Sequence, residues 1–473
     1  IIFSILGDID KTCNISSNIT LHNSSIFSEG NAQEIPNEFF EFKKQKYLNN
    51  AGKEWKETSL FGPARTRLHH DESDSLLIET RMGLFSKNES LALYGYAHFT
   101  FKKYFYAYLY PRIVNDVSAF DRYSGIPREI ERGGLNSGET DLSGIGFQND
   151  WLLFQIGRGR QSWGAGEEIQ LALGENSPAY EYTLLGLDFG KIRVKYLHGF
   201  LESISPNINR YITARGLEWF TRENLIIGLS ETVIYSGENR PIDLAYLNPI
   251  SNHLEMELND RLNTIGTGSA NGVWQLSVDY KPFQNFRLSG NLLYDEFVLD
   301  KIQFEQGKEN GKAYSLKGVY TISNTNKRLL MIYSSFVKVG TPTFRHGSGS
   351  NNFVQRNKPL GWKYGSDGQA FKLGLQFFNL KNLMGQIEFG QRAMGEESIL
   401  LRPYDDYADY LAGPFPSGLV EEIIFFSGEC QWWWKTTISV LGQFEWTSSN
   451  LAETEMAYTL GIDIYYPHDF WIK

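Results

Sequence analysis

Four sets of residues in this 473-residue chain combine flat aromatic faces with planar polar groups. They are Arg160 with Trp163 and Asn176; Arg240 with Tyr246 and Asn248; Trp362 with Tyr364 and Asp367; and Arg402 with Tyr404, Asp405, Asp406, Tyr407, Asp409 and Tyr410. Aromatic faces stack on the C–H-rich side of a sugar ring, planar amides and carboxylates pair with its hydroxyls, and arginine adds a fork for uronates. The chemistry these sets predict is carbohydrate recognition by loops. The expected contacts are Arg160, Trp163, Asn176, Arg240, Tyr246, Asn248, Trp362, Tyr364, Asp367, Tyr404 and Tyr407. The same groups, Arg160, Trp163, Arg240 and Asn248 above all, could instead pack together to close a mouth of loops.

Other chemistry finds little footing. The carboxylates between Asp405 and Asp409 suit a hard cation by type, but their spacing fits no EF-hand loop and reads as an exposed acidic loop, so no metal is expected. His198, His253 and His346 are the candidate bases among eight histidines, and none accompanies a recognisable nucleophile motif. We therefore expect a protein that is not an enzyme and uses no cofactor. The net charge of −10 is spread along the chain, which argues against a nucleic-acid footprint.

The elements that must carry these loops are strands. No run approaches the roughly 18 apolar residues of a spanning helix, whereas from Leu76 onward apolar and polar residues alternate with period two. In Ala370–Phe378, Phe371, Leu373, Leu375 and Phe377 share one face, and Ala370, Lys372, Gly374 and Gln376 the other. Similar runs at 191–200, 273–280, 286–294 and 458–464 bring the expected count to about eighteen strands. Tight links at 100–102, 148–150, 190, 220–223, 281–284, 323–327, 379–382 and 429–434 alternate with long ones such as 113–139, 236–271, 338–369 and 393–419. Short turns at one end and long loops at the other, with an even strand count, are the pattern of an outer-membrane barrel. Hydrocarbon offers no partner for a free sheet edge, so the sheet must close. Trp151, Trp219, Trp274, Tyr280, Trp446 and Tyr465 fall near strand ends as aromatic girdles.

The expected fold is thus all-β: a transmembrane antiparallel barrel over 76–473, preceded by a partly helical N-terminal periplasmic segment over 1–75 with a helix near Glu38–Leu48. Both termini fall on the periplasmic side. Inward phase carries Glu79, Arg81, Arg193, Lys195, Asp279, Arg287, Lys317, Lys372, Glu388, Arg392 and Asp463, and their mixed signs favour ion pairs in a plugged bore over a selective channel. Glu231 falls on the lipid face, where a lone carboxylate is costly, and predicts a bulge or interfacial depth. His198 is phased outward beside Phe200 as an interfacial aromatic. Cys13 in the N-terminal segment and Cys430 in the last tight turn would both face an oxidising periplasm, which makes a disulfide between them possible.

The stretches QIGRGRQSWGAG (Gln155–Gly166), LALGENSPAY (Leu171–Tyr180), RYITARGLEW (Arg210–Trp219) and GLSETVIYSGENRPIDLAYLNP (Gly228–Pro249) stand in order. So do LYDEFVLDKIQ (Leu293–Gln303) and PLGWKYGSDGQAFKLGLQFF (Pro359–Phe378). Together they resemble the capsule assembly protein Wzi family over about residues 140–380. That resemblance implies an eighteen-stranded outer-membrane barrel with a lectin-like role, binding capsular polysaccharide through surface loops. Expected partners are then outer-membrane lipid and lipopolysaccharide, and capsular or other surface polysaccharide. Two other roles fit the same barrel: an oligosaccharide-permeable porin, and a scaffold subunit of a surface secretion or motility assembly that binds other envelope proteins.

Overall fold

In the computed structural model the alternation becomes a wall with a greasy outside. Residues 35–62 and 76–472 are described, apart from 54, 56–57, 103, 121, 129–132, 205–206, 222, 260–269, 296–300 and 408–410. The strands are β1 (Leu76–Lys87), β2 (Ser90–Phe101), β3 (Phe105–Val114), β4 (Ser137–Gln148), β5 (Leu152–Gly159), β6 (Tyr180–Asp188), β7 (Ile192–Leu201), β8 (Ile208–Phe220), β9 (Leu225–Glu238) and β10 (Ala270–Phe283). They continue with β11 (Phe286–Asp295), β12 (Gly311–Asn324), β13 (Leu329–Val339), the short pair β14 (Val354–Gln355) and β15 (Lys358–Pro359), β16 (Gly368–Phe378), β17 (Leu383–Met394), β18 (Glu421–Lys435), β19 (Ile438–Ser449) and β20 (Glu455–Ile472). Leaving out β14 and β15, which pair only with each other, they form one 18-stranded sheet.

That sheet closes on itself. β1 pairs antiparallel with β20 from Leu76 opposite Ile472 to Lys87 opposite Gly461, so no barrel strand is left with a free edge. In β16, Phe371, Leu373 and Leu375 are exposed while Ala370 and Gln376 are buried, as the alternation predicts. The same exposed phase runs through Leu217, Leu229, Leu276, Leu316, Phe389, Phe426 and Ile462 around the wall. Among the described residues no helix is long and apolar enough to cross a membrane.

One end carries the links 102–104, 149–151, 189–191, 221–224, 284–285, 325–328, 379–382 and 436–437. The other carries 115–136, 160–179, 239–269, 296–310, 340–367 and 395–420, with shorter ones at 88–89, 202–207 and 450–454. The last tight link differs from expectation. β18 runs on through Trp432, Trp433 and Trp434, whose alternation continues outward, inward, outward, and the turn falls at 436–437. Cys430 therefore lies within β18, exposed and with a free thiol, instead of in a turn. Its expected partner Cys13 lies outside the described residues.

The N-terminal segment also differs. The helix expected near 38–48 is present as α1 (Phe40–Asn50), but it lies inside the bore and not beneath the barrel. Its residue types explain the placement. Glu41 meets Arg81 of β1 at 2.9 Å, Lys43 meets Glu429 of β18 at 2.7 Å, and Lys46 meets Glu175 and Glu168 at 2.9 and 3.2 Å. Just before the helix, Phe39 sits edge-on to Tyr96, ring centres 5.4 Å apart, beneath the Arg81 guanidinium. Beyond the helix, Gly52 O accepts from Lys281, Leu60 N donates to Glu218, and Phe61 reaches the ring of Trp163. Several of the inward charges, Arg81 and Arg193 among them, thus find partners on the segment that fills the bore.

Candidate functional site: the loops folded into the bore

Two long links descend into the barrel above α1 and are sewn to its inner wall. In the link 160–179, Ala165 N donates to Asn291 Oδ1 of β11 at 2.7 Å, and Asn291 Nδ2 returns a bond to Ala165 O at 2.9 Å. Gly164 passes directly over that amide at φ 135, a backbone geometry and a proximity that only glycine accepts. The link 340–367 is held by Arg210 of β8, fully buried, which donates to the carbonyls of Ser350, Asn352 and Val354 at 2.6, 2.9 and 3.0 Å. The two links also bind each other. Trp362 N donates to Leu171 O and Gly174 N to Leu360 O, and a Cβ on Gly361 would stand 1.7 Å from Leu171 O.

Five of the eleven expected ligand contacts serve this closure. Arg160 is buried and donates to Asp141 at 2.5 Å and to the carbonyls of Ser177 and Arg122. Trp163 is 1% exposed and stacks against Phe61 at 5.1 Å. Asp367 is fully buried and accepts from Thr341, Ser417 and Glu397, which ties the links 340–367 and 395–420 together. Tyr404 donates to Glu202 with Arg210 over its ring, and Tyr407 lies under Arg345 at 4.3 Å. These side chains are spent on protein partners.

Arg240, Tyr246 and Asn248 are not at the mouth at all. They belong to the link 239–269, whose described part folds back over the outer wall of β7–β10. Tyr246 stacks on Tyr235 of β9 at 4.3 Å and bonds His253 Nδ1 at 2.9 Å, and Arg240 lies 4.8 Å over Tyr235. Glu231 is outward-facing as expected, yet the ladders on both sides of β9 run through it without a bulge. It is sheltered instead. The link covers it, Arg215 of β8 pairs with it at 2.8 Å, and His253 N donates to it at 3.0 Å. His198 likewise points outward but is buried, between the hydroxyls of Tyr196 and Tyr235. His346 accepts from Ser348 N within its own link.

Asn176, Trp362 and Tyr364 do converge. They line a cavity of about 180 Å³ together with Lys46, Glu168, Glu175, Lys363, Lys372 and Glu388. Asn176 and Lys363 are exposed, and Trp362 meets Tyr364 edge-on at 5.2 Å. The Tyr364 hydroxyl accepts from Arg392 at 2.9 Å. Burial raises the pKa of this phenol, but Lys363, Arg392 and Lys372 more than offset that and leave it below its usual value. The cavity therefore offers amide, ammonium, carboxylate and phenol groups, its three lysines matched by three glutamates, a set suited to sugar hydroxyls. Among the described residues no cluster of three or more histidine, cysteine or acidic side chains could hold a metal. Sequence reasoning missed Asn291, Arg210, Gly361 and Lys363. Arg210 and Gly361 stand inside the motif stretches quoted above, whereas Asn291 is one inward polar residue among many.

A closed seam, an apolar exterior and a polar, filled interior define a barrel of the outer-membrane type. No protein-family model and no curated protein sequence matches the chain. Among solved structures it is similar to Wzi, an outer membrane protein involved in group 1 capsule assembly in Escherichia coli and a carbohydrate-binding β-barrel. The two are 12% identical over 84% of this chain and 85% of that one, with a TM-score of 0.55. Looser likenesses reach OprD of Pseudomonas aeruginosa (11% identity, 84% and 96% of the chains, TM-score 0.42) and OpdK of the same organism (8%, 85% and 100%, TM-score 0.45). At 12% identity the likeness to Wzi is one of fold.

Proposed function

We propose that this protein is a plugged outer-membrane barrel that binds surface polysaccharide of the capsular kind, without transforming it, through the long-link end. The observation that carries this reading is the filling of the bore: residues 35–62 and the links 160–179 and 340–367 are bonded to the inner wall and to each other, and the Asn176–Trp362–Tyr364 cavity opens among those links. A filled bore suits a receptor better than a conduit. The fold shared with a carbohydrate-binding barrel supports the same reading, and the exposed Asn176 and Lys363 at the cavity offer donors to a polymer's hydroxyls and carboxylates. Both chain ends then face the periplasm, on the side of the short links.

The test is titration of detergent-solubilised protein with capsular polysaccharide fragments. Asn176→Ala and Lys363→Ala are expected to weaken binding about tenfold each, the scale of one lost charge-assisted hydrogen bond. Retention of no surface polysaccharide would overturn the reading.

A second reading has its own observation. Along β17–β20 a polar gap of about 300 Å³ remains, lined by Lys87, Gln386, Glu388, Glu429, Gln443, Glu445 and Thr459. A narrow porin would use such a gap, and a steady conductance in planar bilayers would favour it.

A further inference from the structure

The outer wall of β8 and β9 is too short in apolar residues for a lipid-facing surface. On β12 the exposed phase runs from Tyr314 to Ile322, and on β20 from Met456 to Tyr466. At about 3.3 Å per residue and a tilt near 40°, these span roughly 20 and 25 Å of membrane thickness, close to the ~25 Å of an outer-membrane belt. On β9 the outward residues Leu225, Ile227 and Leu229 span only roughly 10 Å by the same reckoning before Glu231 interrupts them. On β8 only Trp219 and Leu217 precede Arg215.

The described part of the link 239–269 lies over the missing portion. Its seat is made for it: Gly272 of β10 faces the His253 ring, where a Cβ would stand 2.5 Å from Cδ2. Its outer surface presents Leu244 and Ile250, 74% and 89% exposed, with Leu247 and Leu254 beside them. Its backbone is provided with partners from within. Asp243 accepts from Ala245 N, Asn248 from Ile250 N and Asn252 from Glu255 N at 2.8–3.1 Å, and Tyr246 O receives Tyr196 Oη, Thr213 Oγ1 and Arg215 Nη2. Irregular backbone at hydrocarbon depth is tolerated only when its polar groups are satisfied by protein.

We propose that the described part of this link, residues 239–259, is a membrane-embedded flap whose Leu244, Leu247, Ile250 and Leu254 contact lipid acyl chains and complete the belt over β8 and β9. The patch is continuous with the lipid-facing Leu217, Leu229 and Leu276 below it, and that continuity singles out lipid as its occupant. Asn248 is then a turn-former of the flap. The proposal does not depend on the polysaccharide reading.

The experiment places a nitroxide at Ile250→Cys in full-length protein carrying Cys13→Ser and Cys430→Ser, reconstituted in phosphatidylcholine–phosphatidylglycerol vesicles. Collision rates with oxygen and with a water-soluble nickel chelate are compared with those of labels at Leu229→Cys in the belt and at Ile126→Cys in the link 115–136, 72% exposed. The ratio of oxygen to nickel collisions at position 250 is expected to match that at 229, several-fold above that at 126. Adding Gly272→Val, which pushes the His253 ring off its seat, is expected to bring it down to the value at 126. A water-like ratio without that substitution overturns the proposal. Dipolar broadening between labels also overturns it, because a second copy would then occupy the patch.

Discussion

The Arg215–Glu231 pair is a case where removing one side chain and removing two have different consequences. Both lie on outward positions beneath the flap, so a lone charge left there keeps backbone hydrogen bonds but has no counter-ion. Arg215→Met is expected to cost about 3–5 kcal/mol, the range for orphaning a buried ion, while Arg215→Met with Glu231→Leu recovers most of it. Urea midpoints of refolding into micelles measure both. Glu167, in the link 160–179, titrates in a different setting. Burial, helped by Glu175 and opposed by Lys46, raises its carboxyl from 4.5 to about 7, and it accepts from Asn50 of α1. The folded state holds this proton where the unfolded chain has released it. Its contribution is therefore complete below about pH 4.5 and is lost as pH rises through 7. Glu167→Gln should flatten that part of the stability profile between pH 4.5 and 8 and raise the midpoint at pH 8.

At the scale of elements, the links 160–179 and 340–367 meet through a contact that allows no side chain. Gly361→Ala would drive a Cβ into Leu171 O, so one of the two links must move. The expected result is faster proteolysis of the link 340–367 with the heat-resistant barrel band on gels unchanged. The barrel strands were legible from sequence because a wall between lipid and a polar interior imposes one rule, alternation, on the eighteen strands of the closed sheet. Phe371, Leu373 and Leu375 obey it without reference to any partner. The positions of α1 and of the flap were not legible, because each depends on pairing across more than a strand. Arg81 reads as inward and charged, but nothing local says that its partner is Glu41. Glu231 looked anomalous for the same reason, since the loop that shelters it begins a few residues later and returns over its own strand. Arg160, Trp163 and Asp367 have the composition of ligand contacts, and composition alone cannot tell a bond to sugar from a bond to a neighbouring loop. Cys430 was misplaced because three consecutive tryptophans resemble a girdle at a turn more than the body of a strand.

For the whole molecule, the bore is narrowed from two directions, by the N-terminal segment from the short-link side and by the long links above it. Protein lacking residues 1–62 is expected to give larger single-channel conductance in planar bilayers than the full chain, since Glu41, Lys43, Lys46 and Phe61 would no longer cross the lumen. An unchanged conductance would mean that the links alone block passage. The seam adds a constraint of sequence in time. Leu76 stands opposite Ile472, so the ring cannot be shut until residue 472 is in place, whereas the piece that occupies its centre, residues 35–62, precedes the first strand. Shutting the seam last around a core already laid down removes any need to thread that core afterwards through a narrow ring.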